Sequence, residues 1–294
     1  MAVDVSVIFV NYNTVSLLID AIDTVLNKTL DIKYEIIVVD NNSNDNSKSI
    51  LWHKYGQKVN YIDLSENIGF GRANNEGMKK AAGRNVFLLN PDTLLNNNAI
   101  KILSNYLDAN KQVGVVGASL YNEDGSPQAS YSFFYPSLSY EFSNLLHLSF
   151  LFNTETFNDS VFPKEVKRVV GAAMMIKKEV IEKVGMFDPR FFMYAEEDEW
   201  CYRITKAGYK LVNLPESSIT HLDGKSFLFS EQRKLRQLEG IRTFYKVTYS
   251  PLYCEFLKCI EYLTIVNRLF IFRLLKHTEK VNYWKFMYAH RKWK

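Results

Sequence analysis

Over roughly its first 120 residues the chain alternates short β-branched apolar runs with longer stretches whose apolar residues recur every three or four positions. The runs Val5–Val10, Glu35–Val39, Val59–Asp63, Asn85–Leu89 and Val113–Leu120 predict strands, because short Val/Ile/Leu segments suit a sheet covered on both faces. Ser16–Leu26 and Asn96–Leu107 carry helical spacing, and Asp45 or Ser47 is placed to cap a helix running to about Tyr55. Strand–helix alternation of this kind builds βαβ units, so the expected class is α/β, an open, mainly parallel sheet flanked by helices. Ligands of such sheets sit beyond the carboxyl ends of the strands. The loops beginning at Asn11, Asp40, Asn67 and Asn90 are therefore expected to line one crevice.

The pattern then changes twice. Residues 122–165 are aromatic-rich, with Tyr131, Phe133, Phe134, Tyr135, Tyr140 and Phe142, and their weak periodicity predicts an insertion of loop and short helices. Regular spacing returns with a strand over Val169–Ile176, a short helix ending at Gly185, a turn at Asp188-Pro189, a helix from about Glu196 to Ala207 and a strand Lys210–Leu214. The rest reads as helices, which divides the chain into an α/β domain, 1–224, and a helical tail, 225–294. Charge reinforces the division: the tail holds 15 Lys/Arg against 5 Asp/Glu, the preceding residues 21 against 27. Within the tail, Leu263, Ile265, Val266, Leu269, Phe270, Phe272 and Leu274 lie among Arg268, Arg273 and Lys276. Such a helix either packs on the α/β domain or lies on anionic lipid, with Trp284 and Trp293 at headgroup level. The interleaved apolar residues favour lipid over nucleic acid.

Composition narrows the class. A chain of 294 residues that is 47% hydrophobic buries a substantial core, and 13 Gly with 7 Pro exclude collagen-like and largely disordered readings. Three cysteines, Cys201, Cys254 and Cys259, form neither a disulfide framework nor a zinc-ligand spacing. Val5–Val10 is too short for a secretory core, and Lys258, Glu261, Arg268 and Arg273 interrupt the most apolar region before it reaches the ~18 residues a spanning helix needs. A cytoplasmic protein is expected.

Candidate chemistry gathers at the strand ends. Asn67 to Gly77, with Gly69, Gly71 and Arg72, resembles a dinucleotide fingerprint, but Asn74 takes the third glycine position and the segment follows the third strand rather than the first. It serves either as a glycine turn or as a helix start where amides and Arg72 receive a diphosphate. Asp40 opens an Asn/Asp-rich turn from a strand end, where a carboxylate can accept from a base N–H or a ribose hydroxyl. Pro91 fixes a turn presenting Asp92, which is either structural or a ligand to a hard divalent cation. Glu196, Glu197, Asp198 and Glu199 open a helix ahead of Arg203. Acids suit a helix N-terminus and Glu199 can pair with Arg203, but four carboxylates repel one another. Helical spacing sets Glu196 and Glu199 on the Arg203 side, which frees Glu197 as a general base. His221 is either structural or a neutral imidazole ligand.

Taken in order, Val10-Asn11-Tyr12-Asn13, Val38 to Ser43, Asn67 to Gly77, Leu89-Asn90-Pro91-Asp92, Gly171-Ala172-Ala173, Phe192 to Arg203 and His221 resemble the inverting family 2 glycosyltransferases, especially the bacterial rhamnosyltransferase-like branch. The resemblance covers about residues 3–226. It implies a GT-A fold with a C-terminal helical extension, a nucleoside-diphosphate sugar donor (UDP- or dTDP-linked) and a divalent cation, Mn²⁺ or Mg²⁺. The implied reaction moves rhamnose or another hexose to a hydroxyl of a glycan or lipid-linked acceptor in cell-envelope polysaccharide synthesis, on the cytoplasmic face of the inner membrane. Residue by residue, it gives Asp40 to the base or ribose, and Asn11, Asn13, Asn67, Gly69, Arg72, Asn75 and Asn90 to the donor. Asp92 matches the metal aspartate of the family's D-x-D motif, whose first member here is Asn90, and His221 joins it. Glu197 falls where the family has the catalytic aspartate of a Glu-Asp pair. Two other readings are a non-catalytic nucleotide-sugar-binding protein of the same fold, which Asn90 suits, and a nicotinamide-dependent oxidoreductase.

Overall fold

The computed structural model describes residues 3–151, 158, 161–222 and 230–293. β1 (Val5–Asn11), α1 (Val15–Lys28), β2 (Tyr34–Asp40), α2 (Ser47–Tyr55), β3 (Val59–Asp63), α3 (Phe70–Lys80) and β4 (Asn85–Leu89) build a parallel half-sheet. The alternation of β1 explains why it lies inside this half. Val5, Val7 and Phe9 face the core beneath α1, while Ile8 and Val10 face the core beneath α3. α1 presents Leu18, Ala21, Ile22 and Val25 to the first of these cores, as its spacing predicts.

The second half is mixed. β5 (Thr93–Leu95), α4 (Ala99–Ala109), β6 (Val113–Tyr121), β7 (Tyr131–Ser132), α5 (Leu138–Leu145), β8 (Lys164–Val166), β9 (Arg168–Val169), β10 (Ala173–Lys177), α6 (Lys178–Val184), α7 (Glu196–Lys206) and β11 (Lys210–His221) follow in sequence. The sheet order is β3-β2-β1-β4-β10-β6-β11-β5, with β8 also on β11. β10 runs antiparallel to both neighbours, and β5 and β8 run antiparallel to β11. The predicted strand over 169–176 is thus two strands: β9 pairs with β7 in a separate ribbon, and only β10 enters the sheet. β11 outruns its predicted end at Leu214. Pro215 cannot donate to the ladder, and the register shifts between Leu214 and Ser218 before pairing resumes to the strand end at His221.

α8 (Ser230–Thr248), α9 (Pro251–Leu274) and α10 (Thr278–Ala289) complete the chain, and the expected domain boundary at 224/225 lies outside the described residues. The aromatic insertion is the seat of this tail. Tyr245 Oη donates to Glu141 at 2.7 Å, Leu138 N to Tyr253 Oη at 2.7 Å, Tyr249 Oη to Pro136 O at 2.7 Å and Arg268 to Asn144 O at 2.8 Å. On α9, Leu257, Ile265 and Leu269 are buried, as the packing expectation requires, whereas Leu252, Phe256, Leu263, Val266, Phe270 and Leu274 are exposed. Trp293 departs from the expected headgroup position, because it stacks on Tyr245 and donates to Glu261. Among the described residues no helix is long and apolar enough to cross a membrane.

Candidate active site

A pocket of about 340 Å³ opens at the carboxyl ends of β1, β2 and β4. It is lined by Asn41, Asn67, Asn90, Asp92, His221, Glu196 and Glu197. Pairing of Asn11 with Asp40 at the last register position of β1 and β2 lies behind one wall, and Asn11, expected to contact the donor, is fully buried and does not line the pocket. Asn11 Nδ2 donates to Asp40 at 2.8 Å and to Ser43 Oγ at 3.0 Å, while Ser43 N and Ser47 Oγ donate to Asp40 at 2.7 and 2.6 Å. Burial opposes ionisation of Asp40, but the hydrogen bonds from Ser47, Ser43 and Asn11 outweigh it and hold the carboxyl below the usual range. Asp40 is 2% exposed and does not line the pocket. Its acceptor capacity is spent bracing the turn, and the next residue, Asn41, reaches the wall instead. Asn13, exposed with φ +56°, also serves the turn, accepting from Asn44 N at 2.7 Å.

The Asn67 segment is occupied differently from its sequence expectation. Asn67 lines the pocket and accepts from Asn41 Nδ2 at 2.9 Å and Gly69 N at 3.0 Å. Gly69 has φ +89°, and a Cβ there would lie 2.2 Å from Phe192 O. The first amide of α3, Phe70 N, donates to that same carbonyl at 2.9 Å. The helix start therefore receives the loop before α7 rather than lying open to an anion. Arg72 is not in the pocket lining, and Asn75 exchanges hydrogen bonds with both backbone groups of Phe187, at 2.9 and 3.0 Å. Asn75 is a brace between α3 and the α6–α7 loop.

Asp92 and His221 meet because β5 pairs with the end of β11, Thr93 opposite His221. His221 Nε2 lies 3.4 Å from Asp92 Oδ1, and its Nδ1 is 2.8 Å from Gln128 Oε1. A proton on Nδ1 donated to Gln128 leaves the Nε2 lone pair toward Asp92, the tautomer a metal ligand requires. The buried Asn90 Oδ1 beside them has no hydrogen-bond partner among the described residues. No group of three or more His, Cys, Asp or Glu that could hold a metal is found among those residues. One carboxylate, one imidazole and an amide oxygen nevertheless suit a hard cation that completes its shell with phosphate oxygens.

The four acids of α7 separate by partner. Tyr194 and Ala195, both left-handed at φ +70° and +65°, turn the chain into the helix. Asp198 pairs with Arg168 at 3.0 Å, and Glu199 with Arg203 at 2.6 Å. Glu196 is not on Arg203, contrary to the helical-spacing expectation. It is 3% exposed, lines the pocket, and its Oε2 has no hydrogen-bond partner among the described residues. The guanidinium is already filled by Glu199 and by the carbonyls of Val184 and Met186. Glu197 lines the pocket, half-buried, with no ion pair among the described residues. Burial, then the charge of Asp198, pushes its carboxyl up to about 7 against the pull of Arg168. Burial, then the charge of Glu197, also holds the Glu196 carboxyl well above its ordinary value.

Several pocket residues escaped sequence reasoning. Asn41, Tyr12 and Tyr194 sat inside quoted motifs without being singled out, while Arg233, in the first turn of α8, carried no spacing signal. Gln128 and Arg168 act through His221 and Asp198 across long sequence separations. Comparisons with known proteins bear on the family and the fold. The family described as Glycosyl transferase family 2 matches residues 6–185, and the chain belongs to that family. It is 28% identical to the dTDP-rhamnosyl transferase RfbF of Shigella flexneri over 64% of this chain and 60% of that one. It is also 28% identical to the poly(ribitol-phosphate) beta-N-acetylglucosaminyltransferase TarP of Staphylococcus aureus over 95% and 81%. The chain spans only about 60% of the length of the first relatives it matches. Among solved structures, the mannosyltransferase PcManGT of Pyrobaculum calidifontis, in complex with GDP-Man and Mn²⁺, superposes with a TM-score of 0.60 at 17% identity over 91% of this chain and 72% of that one. GalNAc-T7 with UDP, GalNAc and Mn²⁺ gives 0.61 at 18% over 85% and 49%. At these identities the likeness establishes the GT-A fold.

Proposed function

We propose that the chain is an inverting glycosyltransferase that moves rhamnose or another hexose from a UDP- or dTDP-sugar to a hydroxyl of a glycan or lipid-linked acceptor. The observation that carries this reading is the division of the α7 acids. Two are neutralised by arginines, while Glu197 enters the pocket that also holds the Asp92–His221 pair. A carboxylate whose proton affinity is raised toward neutrality suits a base that deprotonates an acceptor hydroxyl. Glu197 takes that proton as the oxygen attacks the anomeric carbon, and the bond to the diphosphate breaks on the opposite face. Asp92 and His221, oriented by Gln128, would hold a divalent cation, Mn²⁺ or Mg²⁺, with Asn90 beside them. Such a cation supplies charge neutralisation for the departing diphosphate. Arg233 lines the same pocket and adds a positive charge where Asp92, Glu196 and Glu197 dominate.

The reading includes work at a membrane surface on the cytoplasmic side. Its support is the exposed row Leu252, Phe256, Leu263, Val266, Phe270 and Leu274 on α9, in a tail with 15 Lys/Arg against 5 Asp/Glu. Membership of family 2 leaves the nicotinamide alternative without an argument. A thermal-shift panel of nucleotide sugars, with Mn²⁺ and with EDTA, followed by assay of nucleoside-diphosphate release, tests the proposal. Stabilisation by one donor class with turnover is expected; no shift with any nucleotide sugar would sink it.

A further inference from the structure

The hairpin that opens the aromatic insertion is absent from the donor-pocket lining, yet it is tightly built. Tyr121 bridges to Pro127, Asn122 N donates to Ser126 O at 2.8 Å, and Gly125 N, from a left-handed glycine at φ +81°, donates to Asn122 O at 2.9 Å. Gln128 N then ties the chain back to β6 by donating to Leu120 O at 2.9 Å. What this hairpin delivers is the half-buried side chain of Gln128, which grips the end of β11 at both ring and backbone. Gln128 Oε1 lies 2.8 Å from His221 Nδ1, and Gln128 Nε2 donates to the His221 carbonyl at 3.3 Å.

The backbone decides which way each amide points, because a carbonyl only accepts. The His221 carbonyl takes an N–H from Gln128, and this turns Gln128 Oε1 toward the ring. The same Nε2 donates to Asn122 Oδ1 at 3.0 Å. Asn122 is fixed in turn, since its Nδ2 donates to Ser126 Oγ at 2.9 Å and to the Pro127 carbonyl at 3.5 Å. Inverting the Gln128 amide would set its oxygen against the His221 carbonyl and Asn122 Oδ1, acceptor against acceptor. A neutral His221 must therefore carry its proton on Nδ1. Its bare Nε2 then faces Asp92 Oδ1 at 3.4 Å. Without Gln128 the opposite tautomer is favoured, because a proton on Nε2 would be donated to the Asp92 carboxylate and would cover the lone pair. We propose that Gln128 is a positioning residue of the cation site, holding His221 in the tautomer whose Nε2 is open to a metal. The inference rests on the cation of the transferase reading above. It gives the insertion a task in the chemistry: its first turn sets the ligand state of a residue that closes the far end of the sheet.

Two substitutions of similar size separate this role from mere support of the hairpin. Gln128→Met removes both the Oε1 acceptor and the Nε2 donor; Gln128→Glu removes the donor alone and leaves a carboxylate to accept from Nδ1. Mn²⁺ and Mg²⁺ affinities are measured by calorimetry on the full chain with UDP (or dTDP) present. Gln128→Met is expected to weaken Mn²⁺ binding by about tenfold or more. Its loss for Mg²⁺, an ion held through oxygens and water, is expected to be smaller. Gln128→Glu is expected to stay near wild type for both ions. Nitrogen-15 spectra of the five histidines, with the rings neutral and no metal added, read the tautomer directly. The His221 proton should lie on Nδ1 in wild type and move to Nε2 in Gln128→Met, the signal being assigned by its loss in His221→Gln. Equal losses of Mn²⁺ affinity in the two variants overturn the proposal, as does a wild-type ring protonated on Nε2, a result that needs no variant to fold. If UDP binds wild type equally in Mn²⁺ and in EDTA, the cation and this role for Gln128 fall together. If Mn²⁺ strengthens binding but Gln128→Met matches wild type, this proposal alone falls and the transferase reading stands.

Discussion

Glu197→Gln tests the site by activity and by stability at once. The substitution keeps the shape and hydrogen-bonding reach of the side chain but removes its ability to take a proton. Turnover should therefore fall by roughly 10²-fold or more, with donor binding nearly unchanged. The stability effect follows from linkage. A carboxyl raised in the native state from 4.5 to about 7 binds more protons folded than unfolded between those values. Its favourable contribution is thus complete below pH 4.5 and is lost as pH rises through 7. At about 1.4 kcal/mol per pH unit the ceiling is about 3 kcal/mol. Solvent reaches the half-buried Glu197, and screening reduces the observable effect to roughly 1–2 kcal/mol.

Glu197→Gln should therefore be more stable relative to wild type at pH 8 than at pH 5, measured by urea unfolding at both values. The kcat/KM profile of wild type should show an ascending limb near pH 7 that the variant lacks. Asp198→Asn supplies the contrast. It removes the carboxylate paired with the half-buried Arg168 and should destabilise by about 1–3 kcal/mol at neutral pH. Near wild-type turnover in Glu197→Gln, together with an inactive but folded Asp198→Asn, would refute the assignment and make Asp198 the base.

Asp92→Ala should abolish the difference in nucleotide affinity between Mn²⁺ and EDTA while leaving the unfolding midpoint within a few degrees of wild type; equal wild-type affinity in both buffers would remove the metal from the scheme. Val266→Glu/Phe270→Glu, at exposed α9 positions, should reduce sedimentation with phosphatidylglycerol vesicles severalfold, and negligible wild-type binding to those vesicles would remove the membrane surface from the proposal. Gly69→Ala should cost more than about 2 kcal/mol in denaturant unfolding, since φ +89° is unfavourable for alanine and its Cβ meets Phe192 O.

The parallel half of the fold was legible because β1, β2 and β4 are buried apolar runs, β3 a half-buried one, and helical segments join them. The mixed half was not, since strand direction is decided by pairing partners distant in the chain. Nothing local distinguishes β10, antiparallel to its neighbours, from a parallel strand. The split at 170–172 was hidden for the same reason: Val169 and Ala173 read as one apolar run, yet they pair in different sheets. The role of the insertion was equally out of reach. The insertion is joined by hydrogen bonds to a helical tail more than 100 residues later, as the bond from Tyr245 to Glu141 shows, and no local periodicity records such contacts.

For the site, the residue types were legible but their division of labour was only partly so. An i,i+4 spacing correctly paired Glu199 with Arg203, because both partners lie on one helix and the geometry is local. The same rule failed for Glu196, since one guanidinium serves one carboxylate well and Glu199 already fills it together with two backbone carbonyls. Asp198 owes its neutralisation to Arg168, thirty residues upstream. Asp40 and Asn75 illustrate the converse. Both sit where a ligand contact was expected, yet each gives its hydrogen-bonding capacity to the protein, Asp40 to Asn11, Ser43 and Ser47, and Asn75 to Phe187. Asn and Asp at strand ends therefore include those that face the ligand and those that hold the facing residues in place. What separates the two is whether a neighbour has already filled the side chain's lone pairs and N–H groups. By that criterion Asn90 Oδ1 and Glu196 Oε2, buried without partners among the described residues, are the pocket atoms with most to gain from a bound donor.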